Sequence, residues 1–174
     1  PVGEYAMSWL GREQLFQYFS RQHATPLSII RLNYACEMRY GVLIDIAQRV
    51  LAGEAVDVSM GYANVIWQAD ASAMSLCTLQ DAAPGGFILN VTGPEIIRIR
   101  DVAEEFARCF DRPARITGEK ASQALLSNAQ LCHEKYGRPT VSASQLIEWT
   151  ADWLARGGTT LNKPTRFEVA DGKY

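Results

Sequence analysis

The chain has 174 residues, 48% of them hydrophobic and 21% charged, with a net charge of -2. That is enough chain for one domain with a real core. The absence of a basic stripe argues against a nucleic-acid partner, and no apolar run approaches the ~20 residues that span a bilayer. There is no secretory signal pattern. Four scattered cysteines, Cys36, Cys77, Cys109 and Cys132, form no C-x-x-C pair. They read as reduced, mostly buried thiols of a cytoplasmic protein, with no metal site.

The first helix opens near Gly3. Tyr5, Ser8, Trp9 and Arg12 share one face, and Leu10, Leu15, Phe16 and Phe19 give a second, apolar face running to His23. His23 suits the negative end of the helix. A break at Ala24-Thr25-Pro26 leads into 27–32, an apolar, β-branched run expected as a buried strand. A loop over 33–40 follows, then a helix over 41–53 stopped by Gly53. Short strands are expected at 56–59 and 63–67. Asp70 reads as the N-cap of a helix reaching Gln80.

Ala83-Pro84-Gly85-Gly86 is a turn, and 87–91 is a second strongly apolar strand. An extended piece at 96–99 precedes a helix to Phe110, with Asp101 and Glu104 at capping-box spacing. An edge strand is expected at 115–117. A short helix capped by Ser127 or Asn128 ends at Gly137, with His133 on its surface. Ser142 and Gln145 repeat the capping-box spacing and open a last helix to Arg156, with Leu146, Thr150, Trp153 and Leu154 on one face. Trp149 and Trp153 read as packing residues. From 157 the chain reads as a polar surface tail. Strands alternate with helices, so the class is α/β, and the two strong strands are expected to pair in parallel.

Five stretches carry a resemblance. Tyr5-Ala6-Met7-Ser8-Trp9 with Glu13 resembles the Tyr-x-x-Ser-Lys-x-x-x-Glu helix of the extended short-chain dehydrogenase/reductase family, the NAD-dependent epimerase/dehydratase type. Trp9 stands in the lysine's place. Arg31-Leu32-Asn33-Tyr34, Ala52-Gly53-Glu54, Val65-Ile66-Trp67-Gln68-Ala69-Asp70 and Leu89-Asn90-Val91-Thr92-Gly93 are similar to further family segments in the family's order. The G-x-G-x-x-G turn of a dinucleotide-binding fold is absent from these 174 residues.

The resemblance implies the C-terminal part of a Rossmann-like, doubly wound NAD(P)-binding sheet, plus a small α+β substrate-binding lobe. The sheet remnant would comprise 1–33 and 86–92, the lobe mainly 34–85 and 94–158, and the tail 159–174. Tyr5 would be the catalytic acid/base. Trp9, Asn33 and Tyr34 would stand at the cofactor, and Asn33, Tyr34 and Asn64 at a small polar, sugar-like substrate. NAD or NADP is expected in the complete protein and not on this chain alone.

The residues by themselves leave Tyr5 open as a packing aromatic and Asn33 as a strand-terminating turn. An indole N–H carries no charge, so Trp9 cannot supply the lysine's cation; Arg12, one turn on, is the substitute at hand. Ala63 falls where nucleotide-sugar members carry an arginine for the diphosphate, which disfavours such a substrate. The partners implied are a small molecule and a second protein surface. That surface would belong to a homodimer or to a chain pairing with the open edge of strand 27–32. The alternative to an enzyme is a non-catalytic binding module on the same fold.

Overall fold

The computed structural model describes residues 2–122 and 124–169; Pro1 and the end of the expected tail, 170–174, lie outside the described residues. In chain order, the helices are α1 (Gly3–His23), α2 (Val42–Ala52), α3 (Gln68–Cys77), α4 (Ile99–Phe110), α5 (Gln130–Tyr136) and α6 (Ala143–Ala155). The strands are β1 (Ser28–Leu32), β2 (Ala35–Cys36), β3 (Ala55–Asp57), β4 (Tyr62–Ala63), β5 (Ile66–Trp67), β6 (Phe87–Val91), β7 (Ile97–Arg98) and β8 (Arg115–Thr117).

β1 and β6 pair in parallel, with Ser28 opposite Phe87 and Leu32 opposite Val91. Side chains alternate across this sheet. Arg31 faces α1 and makes a bidentate pair with Glu13 at 2.6–3.2 Å. One position out of phase, Ser28 donates to Thr78 in the 3₁₀ turn after α3. Ile30, Phe87, Leu89 and Val91 pack on that same side with Ala71 and Met74 of α3 and Cys132 of α5. Helices therefore cover both faces of a parallel sheet, an α/β arrangement.

A larger core lies beyond the strand ends. Val42, Ile46 and Val50 of α2 meet Val102 and Phe106 of α4 and Leu146 and Leu154 of α6. β3 and β8 pair in parallel beside it, and β4 pairs with β7 antiparallel. Ser142 caps α6, accepting from the Gln145 N–H at 3.2 Å. Gly53 ends α2 with φ 71°.

Several expectations need correction. β1 is half-buried to exposed, because α1 covers its face thinly and no strand among the described residues pairs its other edge. The expected strand 63–67 is two strands, because β4 joins β7 while β5 joins β2, a two-residue strand inside the expected loop. Asp70 is not a cap. It is buried within the first turn of α3, and its carboxylate accepts from Thr140 N, Thr140 Oγ1 and Val141 N at 2.8–3.1 Å. Asp101 is not a cap either, because α4 starts two residues earlier at Ile99 and Asp101 pairs with Arg98. Asn128 accepts from the Gln130 N–H although α5 starts at Gln130.

The segment after α6 is more than a surface tail. Phe167 is buried in the larger core, Thr165 donates twice to Asp45, and Glu168 pairs with Arg49. Of the four cysteines only Cys36 and Cys132 are buried; Cys77 and Cys109 are exposed. No helix among the described residues is long and apolar enough to cross a membrane.

Candidate functional site

In open α/β sheets, ligands bind in the crevice outside the carboxyl ends of the strands. An open cleft of about 1040 Å³ lies at that end of β1. Tyr5 reaches it from the first turn of α1, and Asn33 and Tyr34 from the residues just past β1. Gln68, Ser72 and Ser75, spaced along α3, line it together with Ala71 and Leu76, and Thr165 is also part of its lining. Three of the residues singled out in the sequence are thus brought together by the chain reversal between α1 and β1.

The local backbone explains why Asn33 and Tyr34 face the cleft. Asn33 N–H donates to the Val91 carbonyl, ending the β1–β6 ladder, and Ile66 N–H donates to the Tyr34 carbonyl, starting the β2–β5 one. Between these two anchors Tyr34 takes φ 40°, the left-handed region that a bulky residue seldom adopts. Such outliers persist where surrounding structure over-determines them.

Asn64 occupies a different place. It is buried, and its amide is engaged on both sides. Nδ2 donates to the Ser127 carbonyl at 2.7 Å, and Oδ1 accepts from Asn33 Nδ2 at 2.8 Å and from Ser127 N–H at 3.3 Å. Asn64 therefore braces the Asn33 amide at the cleft edge and ties down the 125–127 loop. It borders a second cavity of about 660 Å³, between the Gly93 turn and α5. Gly93 must be glycine for this close approach, since a Cβ there would stand 2.1 Å from the Val65 carbonyl oxygen. His133, expected at the surface, is half-buried against the same turn. Its Nε2 lies 2.9 Å from the Thr92 carbonyl, a contact that needs the proton on Nε2.

Trp9 does not line the cleft. It meets the Tyr5 ring edge-on at 6.0 Å, and the Arg12 guanidinium lies over the indole, 4.3 Å from the ring centroid. A cation is thus present one turn from Trp9 and about two turns from Tyr5, held on the indole. Trp149 packs edge-on against Trp67, and Trp153 donates its indole N–H to the Thr159 carbonyl.

The residues present fit one end of a dinucleotide and not the whole. Tyr5, Asn33 and Tyr34 offer hydroxyl and amide groups at the strand ends, but the chain has no glycine-rich turn to cradle a pyrophosphate. Gly85 and Gly86 both take positive φ, in the turn preceding β6, at the opposite end of the sheet from the cleft. The polar lining residues of α3 and Thr165 had no distinguishing signal in the sequence. Gln68, Ser72 and Ser75 read as an ordinary polar helix face until α3 docks on β6.

No family model matches the chain, and no curated protein matches it in sequence. Solved structures do match in fold. A UDP-glucuronic acid 4-epimerase of Bacillus cereus, in complex with UDP-glucuronic acid and NAD, aligns with a TM-score of 0.75 at 16% identity, over 90% of this chain and 54% of that one. A dTDP-glucose 4,6-dehydratase of Bacillus anthracis in complex with NAD aligns at 0.72 and 15%, over 90% and 53%. RMD of Pseudomonas aeruginosa, complexed with NADPH, aligns at 0.68 and 19%, over 90% and 61%. Over about 90% of its length this chain has the fold of NAD-dependent epimerases and dehydratases of the extended short-chain dehydrogenase/reductase type, and it spans about half the length of the chains it matches.

Proposed function

We propose that the cleft beside Tyr5 binds a small polar, sugar-like molecule bearing a hydroxyl or carbonyl group. The chain would be the C-terminal portion of an NAD(P)-dependent epimerase, dehydratase or reductase. The observation that carries this reading is the meeting of Tyr5, Asn33 and Tyr34, from separate elements, in one cleft at the carboxyl end of the parallel strands. In it, Asn33 and Tyr34 orient the ligand and the Tyr5 phenolic oxygen gives or takes its proton. Nicotinamide cofactors supply hydride chemistry when bound; this chain's share is confined to positioning and to that proton. Ala63 is fully buried and offers no guanidinium, so a diphosphate-bearing substrate is disfavoured. The exposed aromatic face of α1 and the edge of β1 that no strand among the described residues pairs suit pairing with a second copy.

A second reading has a specific observation behind it. Trp9 stands where the family carries lysine, and it holds Arg12 on its own face. A non-catalytic module that binds the ligand without turning it over would have that arrangement. Tyr5→Phe in the complete protein separates the two. Acid/base catalysis by Tyr5 predicts turnover lowered by ~10²-fold or more with ligand binding retained. Unchanged turnover rejects it.

A further inference from the structure

The polar groups that line the cleft beside Tyr5 do not all keep a donor to offer, and backbone atoms decide which do. The Ser127 carbonyl can only accept and the Ser127 N–H can only donate. The Asn64 amide must therefore turn Nδ2 to the one and Oδ1 to the other. Asn64 Oδ1 in turn requires the amide nitrogen of Asn33, at 2.8 Å, and the Leu125 carbonyl takes the second hydrogen of that nitrogen, at 3.4 Å. Both Asn33 donors are spent inside the protein. Its Oδ1 is the part left for a ligand.

Ser75 repeats the pattern on α3. Its hydroxyl donates to the Ala71 carbonyl one turn back, at 2.7 Å, which leaves only lone pairs. Thr165 repeats it from the segment after α6. Its N–H and its hydroxyl both donate to Asp45 Oδ2, at 2.7 and 2.6 Å. Asp45 does not line the cleft, yet it consumes both Thr165 donors and makes that residue an acceptor. Phe167 in the larger core and the Arg49–Glu168 pair hold the same segment in place. Among the described residues no charged side chain lines the cleft, and Leu32, Leu76 and Leu79 add exposed apolar lining. A carboxylate entering here would give up water and meet oxygen lone pairs at Asn33, Ser75 and Thr165, with no cation to offset the loss. A ligand hydroxyl can donate to each of them. The tyrosine hydroxyls of the cleft can serve in either role.

We propose that Asp45, acting through Thr165, together with the Asn33 and Ser75 acceptors, makes the cleft selective for an uncharged, hydroxyl-bearing ligand over its carboxylate counterpart. This rests on the cleft being the site of a sugar-like molecule, and it adds the charge and the donor pattern that molecule must have. Asn33, Ser75 and Thr165 meet the ligand. Asp45 is a positioning residue, because it sets which part of Thr165 the ligand meets.

The test compares methyl β-D-glucopyranoside with methyl β-D-glucuronide, which differ in a hydroxymethyl group against a carboxylate. Binding to the complete protein is followed by saturation-transfer NMR at neutral pH and constant ionic strength. The glucoside should bind about tenfold or more tightly than the glucuronide. Thr165→Val should weaken the glucoside about fivefold, and Thr165→Ser should bind as the parent does. Asp45→Ala frees the Thr165 donors and should narrow the preference between the two probes, whereas a purely structural role would weaken both alike. Equal or tighter binding of the glucuronide overturns the proposal and leaves the sugar site standing. So does undiminished glucoside binding in Thr165→Val, or an unchanged preference in an Asp45→Ala protein whose circular dichroism matches the parent. Binding of neither probe overturns the sugar-like reading of the cleft itself, and this inference with it.

Discussion

Asn64 is the residue on which the cleft edge depends. Its three amide contacts leave no polar atom of the side chain unmet, and its own carbonyl accepts from Thr92 Oγ1. Removing the amide leaves the Ser127 backbone groups without these bonds and Asn33 without its brace. Asn64→Ala should therefore cost about 1–3 kcal/mol, measurable as a lower urea midpoint with unchanged slope. Asn33, half-buried, has one strong contact and should cost less when truncated. A larger loss at Asn33 than at Asn64 would contradict the bracing role. Cys36 shows the same local determinism. Burial pushes its thiol up to about 12, so it serves the core beside Gly41 and not as a nucleophile.

Two acids fasten elements in opposite ways. Asp81, at the end of the 3₁₀ turn, pairs with Lys135 of α5 at 2.8 Å and accepts from the Tyr136 hydroxyl. Lys135 first and Tyr136 second hold its carboxyl below the usual carboxylate range. The folded state then releases that proton more readily than the unfolded one. Its stabilisation is present above the usual carboxylate range and lost as pH falls through the depressed folded value.

Asp45 on α2, which anchors Thr165, is pushed up by burial against the pull of the Thr165 donors, with Glu168 adding to the rise. Its folded form binds a proton more tightly than the unfolded one. That contribution grows as pH falls through the raised folded value and weakens as pH rises. Thermal melts between pH 3 and 7 should show opposite trends. The advantage of the parent over Asp81→Asn should shrink with acid, and its standing against Asp45→Asn should improve. Parallel trends would mean that one of the two carboxyls is not coupled to folding as its partners indicate.

At the scale of the molecule, α1 is the anomaly. It runs for 21 residues, yet Ser20 is its one buried residue, and Leu15, Phe16, Tyr18 and Phe19 are each about half exposed. A helix of this length gains little from intrinsic propensity alone, and most helices are held by packing an apolar face. The proposed pairing with a second copy predicts a mass that rises with concentration in sedimentation equilibrium. Phe16→Glu with Phe19→Glu should abolish that rise. A monomer at every concentration up to the millimolar range would reject pairing.

Much of this fold is legible in local sequence. The β-branched runs at β1 and β6, the Gly85-Gly86 turn, the stop at Gly53 and the Ser142 cap each rest on interactions within a few residues, where period and cap chemistry decide the outcome. Tyr5 and the Asn33-Tyr34 strand end, by contrast, stand out only through the resemblance of their segments to family motifs. What local sequence did not decide is where a polar group spends its hydrogen bonds. Asp70 and Asp101 have cap-like spacing, but Asp70 is drawn to the backbone before α6, whose donors come near only after the helices dock, while Asp101 pairs with its i−3 neighbour Arg98 once α4 starts at Ile99. The burial of Phe167, the brace between Asn33 and Asn64 and the hold of Asp45 on Thr165 likewise join residues far apart in the chain. Local propensity is blind to such pairs. They are set by the register of β4 on β7 and by the packing of α2, α4 and α6, which belong to the tertiary structure alone.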